Sequence, residues 1–123
     1  MCTWVPFRLA VIGLCALAAA CSPLVGVNLL VPEDGYTLRS GIAYGPDERN
    51  KLDVYVPRNP AASRTVEVFI YGGAWRDGAR QDYTFAGQAF AGRGYVTVVP
   101  DFGLFPGVRF PAFVRDAAAA GAW

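Results

Sequence analysis

Residues 66–71, Val-Glu-Val-Phe-Ile-Tyr, run without a break into Gly72-Gly73-Ala74-Trp75. Glu67 is the one charged residue in the run, so both faces of the strand read as buried, which places it inside a sheet covered on both sides. Asp82 then reads as the cap of a helix over residues 83–91. Phe85, Ala89 and Phe90 would share its buried face, and Gly92 or Gly94 would end it. Residues 95–99, Tyr-Val-Thr-Val-Val, are a second β-rich run. A strand, a helix and a strand within about 30 residues form a crossover unit, which makes its two strands parallel. The fold class is therefore α/β, with a mostly parallel sheet.

Upstream, Leu52, Val54 and Val56 alternate with Asp53 and Tyr55, predicting a strand buried on one face and stopped by Pro57. Residues 41–44 read as a short partner strand, and Gly45-Pro46-Asp47-Glu48-Arg49-Asn50 has the composition of the turn between them, giving an antiparallel amino-terminal hairpin. Downstream, Pro111 suits the first turn of a helix whose Phe113, Ala117 and Ala120 form a narrow buried stripe. The pattern ends on this helix at Trp123 with no capping turn, as expected of an α/β unit cut before its next strand and lacking its carboxy-terminal half.

The first 20 residues stand apart. Arg8 precedes twelve mostly apolar residues, 9–20, too few for a spanning helix of about 20 residues but suited to the core of a signal peptide. Ala18-Ala19-Ala20-Cys21 resembles a bacterial lipoprotein signal, which implies cleavage before the cysteine and its acylation, and the same alanines fit ordinary secretory cleavage. Cys2, Cys15 and Cys21 all lie at or before that point, so the mature chain keeps one thiol and no internal disulfide. The expected organisation is a signal peptide over 1–20, a tether over 21–40 and the α/β unit over 41–123. Cys21 is the expected lipidation site, and its lipid would be the contact with the membrane of a bacterial cell envelope. Eleven basic residues against ten acidic ones, without basic blocks, exclude a nucleic-acid footprint. With no histidine and few thiols, no metal site is expected, and no cofactor is implied.

Four blocks in order, KLDVYVP, VEVFIYGGAW, GRGYVTVVPDF and RFPAFVRDAAAA, resemble the amino-terminal part of bacterial α/β-hydrolase esterases of the carboxylesterase and hormone-sensitive-lipase-like groups. Their His-Gly-Gly-x-Trp motif stands here as Tyr71-Gly72-Gly73-Ala74-Trp75. The resemblance implies an oxyanion hole built from Gly72, Gly73 and Ala74, with Tyr71 and Trp75 at the substrate pocket and a small ester as substrate. Acyl transfer places negative charge on a carbonyl oxygen, and backbone N–H groups aimed at that oxygen lower the barrier. Tyr71 either orients the turn through its hydroxyl or is an aromatic that closes the strand, and Trp75 either lines an acyl pocket or covers the sheet edge. Asp101 begins Asp-Phe-Gly-Leu where the family has Asp-Tyr-Arg-Leu, and reads as a turn residue.

The same resemblance puts the nucleophile elbow on the next strand and the acid and histidine later still. These 123 residues have no histidine and no serine after Ser63, so no catalytic residue is assigned. Two readings follow. One is a piece of a serine carboxylic-ester hydrolase, inactive alone. The other is a non-enzymatic envelope lipoprotein that keeps the scaffold, although Val66, Val68 and Ile70 would then lie on an open, aggregation-prone edge.

Overall fold

The computed structural model describes residues 23–63 and 65–123. The signal-peptide and Cys21 expectations fall outside the described residues. Four strands, β1 (Tyr36–Ala43), β2 (Lys51–Pro57), β3 (Val66–Val68) and β4 (Val96–Pro100), form one sheet in the order β1-β2-β4-β3. Among the described residues three helices accompany it: α1 (Pro23–Asn28), α2 (Thr84–Ala91) and α3 (Ala112–Ala122). A 3₁₀ turn over Arg80–Tyr83 leads into α2.

The expected hairpin and crossover are both present. β1 pairs antiparallel with β2, and β3 pairs parallel with β4 across α2. β2 also pairs antiparallel with β4, so over the described strands the sheet is mixed rather than mostly parallel. β1 begins at Tyr36, inside the stretch expected to be tether. Its pairing of Tyr36 with Pro57 and of Leu38 with Tyr55 supplies backbone partners that the local sequence does not advertise. α1 lies in the same stretch. Its Asn28 acts as a cap from a distance, for Oδ1 accepts the Phe85 N–H at 3.0 Å while Nδ2 donates to the Gln81 and Asp82 carbonyls. Asp82, expected in that role, instead accepts the Ala79 N–H at 3.0 Å and closes the 3₁₀ turn.

Two further expectations are corrected by packing. β2 is buried on both faces: Leu52 and Val54 pack with Val98 on one side, while Asp53 and Tyr55 are equally inaccessible on the other. α2 turns Ala86, Gly87 and Ala91 inward, leaving Phe85, Ala89 and Phe90 half-buried. Small residues win because the helix rests directly on Tyr55; a Cβ on Gly87 would lie 2.4 Å from that ring. Gly94, not Gly92, is the glycine with positive φ beyond the end of α2.

β3 is shorter than its sequence suggests, although the Phe69 N–H continues the ladder to the Val98 carbonyl at 2.8 Å. It is the edge strand of the described sheet, and Val66 is 56% exposed there. The chain then turns at Gly72-Gly73 above the aromatic half of the core, where Tyr36, Tyr55, Tyr71, Val99 and Phe102 pack together.

Candidate active site

The turn after β3 is strained and tied down at both ends. Gly73 has φ +123° with no room for a side chain, since a Cβ would lie 2.2 Å from the Asp77 carbonyl oxygen. Ala74 and Trp75 follow in the left-handed region at φ 52° and 61°, a conformation that costs an L-residue roughly 1–2 kcal/mol. The Gly73 carbonyl accepts the Arg76 and Asp77 N–H groups at 2.9 and 3.2 Å, and the Trp75 carbonyl accepts the Phe105 N–H at 2.7 Å. Strain of this kind persists where surrounding contacts over-determine it, and it clusters at functional sites.

These bonds engage the Gly73 and Trp75 carbonyls and leave the early N–H groups of the turn free. Residues 72–74 are exposed, and among the described residues neither the Gly73 nor the Ala74 N–H has an acceptor. Successive unpaired backbone N–H groups in a tight turn form a concavity suited to an anion. Thus Gly72, Gly73 and Ala74 stand together at the surface.

Tyr71 and Trp75, expected side by side at the pocket, have different positions. Tyr71 is buried beneath the turn, with its ring in a ladder. Tyr83 stacks on it at 4.8 Å, Phe102 lies at 4.7 Å, Trp75 meets Phe102 edge-on at 4.9 Å, and Phe113 stacks on Trp75 at 4.6 Å. The Tyr71 hydroxyl donates to Asp101 Oδ1 at 2.6 Å while its ring is buried at the end of the strand, so features of both its sequence readings are present. Trp75 lines an open groove of about 380 Å³ together with Ala74, Arg76, Phe105, Arg109, Phe110 and Phe113.

Asp101 is more than the turn residue its local sequence suggests. It is 5% exposed, and both ends of the loop over residues 72–79 are fastened to it. Tyr71 binds it from one end, and from the other the Arg80 backbone N–H donates to Oδ1 at 2.7 Å while Arg80 Nη1 donates to Oδ2. Arg80 Nε donates in turn to Asp53 Oδ1 at 2.8 Å. That oxygen also takes the Ser40 hydroxyl and the Gly41 N–H from a bulge in β1. Arg49 completes the frame by bonding the Tyr71 hydroxyl, the Gly78 carbonyl and the Phe102 carbonyl. Burial alone would lower the Arg80 pKa, but its hydrogen bonds and ion pairs with Asp53 and Asp101 raise it on balance. Charge-assisted bonds of this type are the strong ones.

The BD-FAE family model matches residues 52–123, the stretch that builds β2, the strained turn, the crossover and α3. The chain belongs to the BD-FAE family. It is 35% identical over 81 residues to the isoprenylcysteine alpha-carbonyl methylesterase ICME of Arabidopsis thaliana, covering 66% of this chain and 19% of that protein. It is 33% identical over 91 residues to esterase LipC of Mycobacterium tuberculosis, covering 72% of this chain and 22% of that one. The fold matches esterase B of Lactobacillus rhamnosis with a TM-score of 0.71 at 20% identity, over 99% of this chain and 40% of the other. The chain thus spans about a fifth of the length of these curated relatives. The fold is a partial α/β-hydrolase.

Within this BD-FAE chain, Ser40 is engaged by Asp53 and Ser63 sits in an exposed loop, so neither is poised as a nucleophile. Among the described residues, no group of His, Cys, Asp and Glu could hold a metal ion. Sequence reasoning missed Arg80 and Asp53. The one-face reading of β2 put Asp53 on an open face, where a carboxylate needs no cation; its burial, and with it the need for Arg80, shows only in the folded sheet.

The frame makes this BD-FAE chain sensitive to alkali. Burial pushes the Tyr71 phenol well above its ordinary value of 10, assisted by its bond to Asp101 and the charge there. Burial likewise raises Tyr44 to about 12 and shifts Tyr36 and Tyr55 upward. A raised phenol pKa means that the native state holds protons the unfolded chain releases near pH 10, so the stability these four phenols contribute is fully present below about pH 9 and is lost as pH rises beyond 10. Tyrosinate absorbance at 295 nm should lag behind that of the urea-unfolded protein and rise together with loss of structure.

Proposed function

We propose that residues 71–75 are the oxyanion-binding element of a carboxylic-ester hydrolase, and that the adjoining groove seats part of the ester. The observation that carries this reading is the strained turn, whose Gly73 and Ala74 N–H groups are exposed and unpaired above a rigid buried frame. Attack on an ester carbonyl creates a negatively charged oxygen, and two N–H donors at about 2.7–3.1 Å stabilise it without reorganising. Membership of a family whose relatives are esterases supports the same chemistry. The hydrolase to which this stretch belongs acts through a serine acyl-enzyme, as the nucleophile-elbow logic of the fold implies.

On this reading the 123 residues hold the electrostatic half of the site without a base to activate a nucleophile. The purified chain should leave p-nitrophenyl acetate at its background rate of hydrolysis. Serine-dependent turnover blocked by a fluorophosphonate would contradict it.

The amino-terminal pattern supports export, with Cys21 acylated after cleavage. One acyl chain gives marginal membrane binding, so stable anchoring requires more than one. Mass spectrometry of the mature amino terminus should find Cys21 carrying acyl groups; a free thiol there removes the lipid anchor and leaves ordinary secretion.

A further inference from the structure

The groove beside the turn carries positive charge that nothing in its walls neutralises. The Arg76 and Arg109 guanidiniums both lie against the Phe105 ring, at 4.6 and 5.7 Å from its centroid. The two cations are therefore within about 10 Å of one another, close enough to repel. Among the described residues, the ion pairs involve Arg49 and Arg80 and leave both of these arginines without an acid. Asp77 accepts the Gly78 N–H at 2.8 Å and Asp116 the Gly103 N–H at 2.9 Å, and neither lies within ion-pair distance of Arg76 or Arg109.

The rest of the lining is flat and aromatic. Trp75 and Phe113 are stacked on each other, and Phe110 stands 77% exposed beside Phe113. A planar apolar body resting there places any anionic substituent within reach of a guanidinium fork, which binds carboxylates in bidentate fashion. Ala74 and Trp75 belong both to this lining and to the turn, so the groove and the unpaired N–H groups are continuous.

We propose that the groove selects an ester whose aromatic part carries a carboxylate, held by Arg76 and Arg109 while the reacting carbonyl addresses the turn. This inference rests on the ester-hydrolase reading of that turn. It supplies a charge preference that the turn by itself does not have, because backbone N–H groups respond to the carbonyl oxygen of any ester.

Benzoate and its neutral isostere benzamide separate the two elements. They share a shape, and neither reproduces the tetrahedral oxyanion. Titrated into the full chain and followed at the Trp75 indole N–H by NMR, benzoate should bind about tenfold more tightly than benzamide. The preference should shrink several-fold when salt is raised from about 0.02 to 0.5 M. The R76Q/R109Q double variant, altered only at exposed side chains, should bind the two equally. Equal affinity for both ligands in the unaltered chain, or a preference that survives in the double variant, overturns the proposal. Neither result bears on whether Gly73 and Ala74 bind an oxyanion, which is read at different atoms.

Discussion

Replacing Asp101 with alanine should lower stability by about 3 kcal/mol, the lower end of what breaking a buried ion pair costs. The value is at the lower end because Arg80 keeps its bond to Asp53 at 2.8 Å and is still partly compensated. The substitution nonetheless removes the acceptor of the Tyr71 hydroxyl and of the Arg80 backbone N–H, and one of the two carboxylates that hold the Arg80 guanidinium. For a domain of this size the thermal midpoint should fall by more than about 10 °C. Asp101→Asn should cost less, since an amide oxygen can still accept from Tyr71 or from the Arg80 N–H but no longer offsets the cation. Equal midpoints for the alanine variant and the unaltered chain would mean that the frame does not hold the turn.

Gly73→Ala should be the most damaging substitution in the turn itself. The added Cβ would sit 2.2 Å from the Asp77 carbonyl oxygen, and backbone atoms cannot swing aside as a side-chain tip could. The φ of +123° adds a conformational penalty for any residue with a Cβ. Together these should cost about 2 kcal/mol or open the turn, and opening it redirects the Gly73 and Ala74 N–H groups. In the complete hydrolase, loss of one such donor should reduce kcat by about 10²–10³-fold. Gly72→Ala is the matched control, since nothing lies within 4 Å of a Cβ there. It should leave the thermal midpoint nearly unchanged, and comparable losses in both variants would contradict the steric account.

The parts of this architecture written in local sequence were legible there. β-rich runs at residues 66–71 and 95–99, with a helix between them, specify a crossover through periodicity and glycine punctuation alone, and the Gly-Gly pair marks a tight turn in which Gly73 has no room for a side chain. What escaped depends on partners distant in sequence. Asp101 follows Pro100 and looks like a turn, yet its partners Tyr71 and Arg80 lie 30 and 21 residues upstream. The early start of β1 is set by pairing with β2, and the capping of α2 by Asn28 crosses 57 residues. The inward face of α2 was misread because larger apolar residues were expected inside. Close approach to Tyr55 selects Gly87 and its alanine neighbours instead. The convergence of Arg76 and Arg109 on Phe105 across 33 positions has no local signature.

The central claim is that Gly73 and Ala74 present their N–H groups to an oxyanion, and amide chemical shifts read this directly. Titration of the ¹⁵N-labelled chain with methylphosphonate, whose tetrahedral anionic oxygens imitate the intermediate, should move the Gly73 and Ala74 amide protons downfield and saturably. The Arg76 and Asp77 amides, already donated to the Gly73 carbonyl, should stay near their starting positions. A response confined to residues around Arg76 and Arg109, with the Gly73 and Ala74 amides unmoved at saturation, would contradict the claim.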